Sequence, residues 1–170
     1  MKPDDYADMY EYARRDDVTR YLLWSPHQDR KYTRKYLEYI QDRYRSGEFF
    51  DWAVILKEEN KMIGTAGFAR IDIDNGTGEI GYVINPVYHG NGYATEAVTE
   101  VMMFGFMELN LHRIEARCMD GNTSSRRVME KCGMRYEGCA RDSMFVKEKY
   151  RSIHTYSILS DEFIHRYIKQ

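Results

Sequence analysis

Between Glu79 and Ala97 the chain changes from one period to another with no linker in between. Glu79-Ile80-Gly81-Tyr82-Val83-Ile84 reads as a strand closed by Asn85-Pro86. Val87-Tyr88-His89-Gly90-Asn91-Gly92 then leads directly into a helical start, Tyr93-Ala94-Thr95-Glu96-Ala97. Glycines in such a loop let the backbone approach a ligand closely. The first N–H groups of the following helix have no partner within it. Together they make a site for an anion, most naturally a phosphate or pyrophosphate. The segment is not a Walker loop, because the Gly-Lys-Ser/Thr ending is missing. Nor is it the dinucleotide fingerprint: Thr95 stands where the third glycine belongs, and no parallel strand–helix–strand opening precedes it. Two glycines on their own are also compatible with a tight strand-to-helix turn that binds nothing.

The rest of the chain is arranged around that segment. Tyr6, Met9, Tyr10 and Ala13 form a helical stripe behind the acids Asp4-Asp5. Asp16–Tyr21 reads as a second short helix closed by Trp24-Ser25-Pro26. Asp29–Arg45 is a third, with Tyr32, Tyr36, Leu37, Ile40 and Tyr44 on one side and Gly47 as its stop. The period then turns to strand. Trp52–Leu56, Met62–Ile71 and Gly78–Ile84 make an antiparallel meander over residues 51–84, with Asn75-Gly76 as a hairpin signal because both residues tolerate positive φ. Downstream, Ala94, Ala97, Val98, Val101, Phe104 and Met107 form a core-facing stripe. Ile114, Ala116 and Cys118 mark a strand, and Asn122–Cys132 a helix stopped by Gly133. Tyr136–Val146 and Tyr150–Ile158 are two last strands, and Ser160-Asp161 caps a final helix. The expectation is a mixed α+β chain, one domain over residues 1–170.

Composition removes several functions. The 25 Lys+Arg against 27 Asp+Glu leave a net charge of −2, with no basic excess for direct nucleic-acid binding. No apolar run approaches the ~20 residues that a membrane helix needs. The opening residues lack the charged-then-apolar order of a signal peptide. Cys118, Cys132 and Cys139 are too few and too scattered for a disulfide framework or a zinc site, and read as buried small apolar residues. His27, His89, His112, His154 and His165 show no metal spacing, so no metal is expected. A reducing cytoplasm is the simplest location.

With its flanks, the two-glycine loop becomes specific. His89-Gly90-Asn91-Gly92-Tyr93-Ala94 resembles the Arg/Gln-x-x-Gly-x-Gly/Ala signature of the GNAT superfamily of acyl-CoA-dependent N-acyltransferases. The continuation Gly-Tyr-Ala-Thr-Glu-Ala is similar to the Rim-type branch, which acetylates ribosomal-protein N-termini. A second block, Asn122-Thr123-Ser124-Ser125 through Glu130-Lys131-Cys132-Gly133-Met134 with Tyr136-Glu137-Gly138, resembles that branch's Asn-x-x-Ser…Glu-Lys-x-Gly-Phe…Glu-Gly pattern. Lys149-Tyr150-Arg151-Ser152 and Val18-Thr19-Arg20-Tyr21-Leu22 also match. The resemblance covers essentially the whole chain. There are two departures: His89 replaces the usual Arg or Gln, and Met1 sits directly at the first helix, where relatives open with a strand. The first strand is therefore expected to be missing, leaving one meander edge unpaired.

The resemblance implies a GNAT-like fold with a splayed, mostly antiparallel central sheet and acetyl-CoA in the splay between residues 79–84 and 113–118. The pyrophosphate would rest on the loop of His89, Gly90, Asn91, Gly92, Tyr93, Ala94 and Thr95, chiefly on backbone amides. The pantetheine arm would pair with the backbone of Tyr82, Val83 and Ile84 as an added strand. An N–H of Val83 or Ile84 would polarise the thioester carbonyl. Asn122 would hold the pantetheine arm; its other reading is a helix cap.

Many family members protonate the leaving thiolate with a tyrosine, but Met129 occupies that position here. Ser125, one turn after Asn122, is the alternative acid, or else an ordinary first-turn serine. Met144 occupies the position of a family glutamate base. Glu79 remains as a base acting through water, or as a strand-surface acid paired with an arginine. Trp24, Tyr21, His27 and residues 140–148 are candidate acceptor contacts. The implied activity is transfer of an acetyl group to a primary amine by direct attack in a ternary complex, foremost to the N-terminus of a ribosomal protein. A polyamine, amino acid or antibiotic amine is the alternative acceptor, and a non-catalytic acyl-CoA-binding module the alternative function. Monomer and homodimer are both compatible.

Overall fold

The computed structural model describes residues 1–47 and 49–169. Helix α1 (Tyr6–Ala13) follows a 3₁₀ turn at Pro3–Asp5, and α2 (Asp16–Thr19) and α3 (Arg30–Arg45) come next. Strands β1 (Asp51–Leu56), β2 (Lys61–Asp72) and β3 (Thr77–Ile84) precede α4 (Tyr93–Met107). Then follow β4 (Arg113–Met119), α5 (Thr123–Lys131), β5 (Arg135–Val146), β6 (Lys149–Leu159) and α6 (Ser160–Tyr167). The strands form one six-stranded sheet in the order β1-β2-β3-β4-β6-β5. β3 and β4 are parallel, as a helical crossover requires, and β4–β6, β5–β6 and β1–β2 are antiparallel. The sheet is mixed α+β and mostly antiparallel, as expected. Among the described residues no strand precedes α1, and β1 pairs only with β2.

The chain packs as two compact units, Met1–Gly67 with Tyr82–Ala94, and Phe68–Gly81 with Thr95–Gln170. In the first, Met9, Tyr12 and Ala13 of α1, Leu37 of α3 and Met62 of β2 form the core. The α1 stripe was expected to include Tyr10, but Tyr12 is the fully buried residue. Asp29 caps α3 by accepting the Tyr32 N–H at 2.7 Å, and Gly47 ends it at φ 74°. The Tyr32 ring, expected inside, is about half exposed at 51%.

In the second unit, α4 buries Val98, Val101, Met102, Gly105 and Phe106. The expected stripe is corrected here: Phe104 is only half-buried and Met107 is exposed. The reason is Gly105, where a Cβ would fall 2.7 Å from Phe68 and 2.8 Å from Ile114, so the helix lies directly on the sheet at that residue. The hairpin between β2 and β3 also differs. Only Gly76 has positive φ, at 61°. Asn75 instead donates its N–H and side-chain NH₂ to Asp72, and the Gly76 N–H closes a turn onto Ile73. α6 is not capped by the Ser160 or Asp161 side chain; Glu162 reaches back to the Leu159 N–H at 3.1 Å.

Candidate active site

β3 carries the first of the candidate residues. Its pairing with β4 runs from Thr77↔Arg113 to Ile80↔Ala116, four matched residues, while β3 itself continues to Ile84. On the other side of the strand the Val83 carbonyl lies where a Cβ of Gly64 would be, so only a bare residue in β2 admits β3 at that point. Ile84 and Asn85 are buried, and Tyr82 and Val83 half-buried.

A 3₁₀ turn at Pro86–Tyr88 leads out of the strand. His89 folds back so that its Nε2 lies 2.8 Å from the Ile84 carbonyl, which makes that nitrogen the protonated one. The Asn91 side chain donates to the Tyr88 carbonyl at 3.1 Å. Gly90 and Gly92 have φ of 87° and 88°, and a Cβ at either would meet nothing within 4 Å. α4 begins at Tyr93 and runs on through Ala94 and Thr95. The loop is thus braced by His89 and Asn91 and presents bare backbone ahead of a helix start, the arrangement that takes phosphate.

The second unit holds the other candidates. Glu79 is mostly buried and its carboxylate lies 2.6 Å from the Arg117 guanidinium, which raises the arginine pKa further. Glu79 also faces Glu115 across the parallel ladder, and Glu115 is held by Arg113 at 3.0 Å. The pairing with an arginine expected of a strand acid therefore describes the geometry of Glu79, although the side chain is mostly buried. Asn122 caps α5, its Oδ1 accepting the Ser125 N–H at 3.2 Å. Ser125 is half-buried in the first turn of α5. Met129, where a tyrosine acid would stand, is fully buried core. The Thr95 carbonyl accepts the Thr99 hydroxyl at 2.8 Å and the Cys132 thiol at 3.7 Å.

Two expectations are corrected. Cys118 and Cys132 are buried, and burial pushes both thiols up to about 11, far from nucleophile chemistry; Cys139, expected to be buried, is exposed. His27 was a candidate acceptor contact but is 7% exposed. Its ring packs against Trp24, Tyr32 and Tyr36, its Nδ1 lies 2.9 Å from the Thr33 hydroxyl, and burial lowers its pKa, so it is a core histidine. Trp24 packs against the same core. Tyr21 is half-buried beneath the Arg20 guanidinium. Within residues 140–148, Met144 is half-buried opposite Arg151, and Phe145 is exposed against the Tyr150 ring. Asn85, which the sequence marks only as a turn-forming asparagine before proline at a strand end, is buried.

Residues 1–135 match the family described as acetyltransferase (GNAT) domain. The chain belongs to the GNAT family. It is 33% identical over 163 residues to p20 of Bacillus licheniformis, an uncharacterized N-acetyltransferase, covering 96% of this chain and 92% of that protein. The crystal structure of a GNAT-family acetyltransferase from Bacillus anthracis superposes with a TM-score of 0.83 at 33% identity, covering 95% of this chain and 92% of that one. The ribosomal-protein-serine acetyltransferase of Escherichia coli is 28% identical over 104 residues, 61% of this chain and 58% of that protein. This GNAT chain is therefore an acetyl-CoA-dependent N-acetyltransferase. Among its described residues there is no group of three metal-ligating side chains and no helix long and apolar enough to cross a membrane.

Proposed function

We propose that the acceptor is the α-amino group of a protein N-terminus. The observation that carries this reading is the Glu79–Arg117 ion pair at 2.6 Å. The Glu79 carboxylate is already engaged by the Arg117 guanidinium and is not free to take the amine's proton directly, and the other position where relatives place a glutamate is Met144. The acceptor must then arrive with its own neutral fraction. An α-amino group, with a reference pKa of about 7.7–8.0, is about a tenth neutral at pH 7; a lysine side chain near 10.4 is well under a thousandth neutral. The likeness to the ribosomal-protein-serine acetyltransferase and the two sequence blocks of that branch support the same acceptor.

In this reading the amides of Gly90, Gly92, Tyr93, Ala94 and Thr95 hold the pyrophosphate of acetyl-CoA, with His89 and Asn91 bracing the loop. The backbone of Tyr82, Val83 and Ile84 takes the pantetheine amides, and an N–H of Val83 or Ile84 polarises the thioester carbonyl. Asn122 adds a contact to the pantetheine arm beyond its capping role. The neutral amine attacks the thioester carbon, a C–N bond forms and the C–S bond breaks. Ser125 gives a proton to the departing thiolate, while Glu79 takes the amine's proton through water. The three free cysteines support a reducing compartment such as the cytoplasm.

A thiol-release assay tests the acceptor with N-terminal peptides, a matched peptide carrying only a lysine side chain, and a panel of polyamines and amino acids. The N-terminal peptides are expected to be fastest, with rates that climb as pH approaches the amine's own pKa. Faster acetylation of the lysine side chain or of a polyamine overturns the proposal.

A further inference from the structure

The first unit contains a buried asparagine whose hydrogen bonds tie the turn that follows it to β2 and to α1. Asn85 is 1% exposed. Its N–H donates to the Ile63 carbonyl at 2.7 Å, and its carbonyl accepts the Tyr88 N–H at 2.9 Å. Its side-chain oxygen accepts the Val87 N–H at 3.2 Å. Its side-chain NH₂ donates to Glu11 Oε1 of α1 at 3.2 Å. Backbone and side chain are thus engaged at both ends, once to β2, twice to the 3₁₀ turn and once to α1.

The Glu11 carboxylate is itself fixed. Its Oε2 lies 2.7 Å from Lys61 Nζ, and Lys61 and Asn85 hold its carboxyl below the usual range. Lys61 in turn sits 5.8 Å from the centroid of the Tyr88 ring, and the Tyr88 hydroxyl donates to Glu59 at 3.3 Å. Both ends of the 3₁₀ turn are tied, through Asn85 and through Tyr88, to charged groups on α1 and at the β1–β2 turn. The two glycines that follow have no side chain to hold them. Their direction of travel is set upstream.

We propose that Asn85 is a positioning residue that sets the shape of the Gly90–Gly92 loop, and that Glu11 and Lys61 hold Asn85 in place. The effect on acetyl-CoA rests on the reading of that loop as the pyrophosphate site. A buried polar group left without its partner loses far more than a solvent-exposed one, so breaking the Glu11–Asn85 bond should reach the loop.

The test is a pair of variants that first creates and then relieves a like-charge contact. Asn85→Asp keeps the oxygen that caps Val87 but sets a carboxylate against Glu11. Its acetyl-CoA Kd should rise at least about tenfold, with kcat at saturating acetyl-CoA within about twofold. Amide hydrogen exchange across residues 87–92 should quicken at the same time. The double variant Asn85→Asp/Glu11→Gln supplies an N–H donor opposite the new carboxylate and should recover both affinity and protection. Glu11→Ala, a milder change at the surface end of the bond, should move both readouts the same way by about threefold. An unchanged Kd and unchanged exchange in Asn85→Asp overturn the proposal, as does a double variant no better than the single one. If exchange responds as expected but the wild-type protein does not bind acetyl-CoA, the positioning role stands and the pyrophosphate reading of the loop falls.

Discussion

Two loops flank α4, and they turn the chain by different means. The loop that leaves α4 for β4 uses Asn110 at φ 54°, inside the left-handed region that L-residues visit. Asn60, Asp142, Lys147 and Glu148 do the same elsewhere, at φ between 47° and 61°. Turning this chain therefore does not demand glycine. The loop that enters α4 goes further, to φ of 87° and 88° at Gly90 and Gly92. Gly133, at φ 82°, would set a Cβ 2.9 Å from the flexible Arg166 side chain; Gly90 and Gly92, like Gly47 at φ 74°, have open space. At Gly90 and Gly92 the backbone angle, not close packing, calls for glycine. The bare backbone there leads into the first turn of α4, where the proposed pyrophosphate site lies.

The sharpest way to break this comparison is Gly92→Asp. A side chain and a negative charge would stand in the proposed pyrophosphate site, and like charges brought together in a contact cost several kcal/mol. The acetyl-CoA Kd measured by calorimetry should rise about a hundredfold, whereas Asn110→Asp in the other loop should leave it unchanged. Equal affinity in the two variants would remove the loop from the site. The second effect falls on turnover. If Ser125 protonates the thiolate, Ser125→Ala lowers kcat about a hundredfold at unchanged acetyl-CoA affinity. A near-wild-type kcat means that water serves and Ser125 only builds the first turn of α5. Glu79→Gln should lower kcat about tenfold, the lower end for a base because Arg117 already holds the carboxylate. A fully active variant leaves Glu79 as half of an ion pair.

The strand-to-helix loop was legible because its glycines, proline and asparagine each have a narrow conformational meaning. The same holds for the Gly47 and Gly133 stops and the three-strand meander. Burial within α4 was not legible, because Gly105 reads as a weak helix residue until Phe68 and Ile114 are brought against it. The turn between the last two strands was legible in position but not in conformation: Lys147 and Glu148 both sit at positive φ, and neither is of a type that announces it. For the candidate site, residue types and order were readable, but partners were not. The pairing of Glu79 with Arg117 depends on the parallel β3–β4 register, which a sequence with one crossover does not state. Nor does it state that α1 reaches Asn85.

Gly90→Ala refines the comparison at a finer scale. Its Cβ meets no protein atom, so the loss comes from holding alanine at φ 87°, about 1–2 kcal/mol. If the loop relaxes away from its shape to escape that strain, acetyl-CoA affinity falls about fivefold to tenfold while the melting temperature holds. If the loop stays in place, stability falls instead. A calorimetric titration beside a thermal melt separates these outcomes, and no change in either would mean that the φ value has no bearing on the site.

The smallest expected effect belongs to the other loop. Asn110→Gly places glycine where asparagine already sits near the centre of the left-handed region. Relief of residual strain and the greater freedom of the unfolded glycine chain oppose one another, each by about half to one kcal/mol. The net change should lie within about 0.5 kcal/mol, a shift of about 1–2 °C in melting temperature for a chain of this size. Acetyl-CoA affinity and kcat should stay as in the wild type. A marked loss of affinity in Asn110→Gly would mean that the loop leaving α4 also reaches the cosubstrate, and the contrast between the two loops would no longer separate binding backbone from turning backbone.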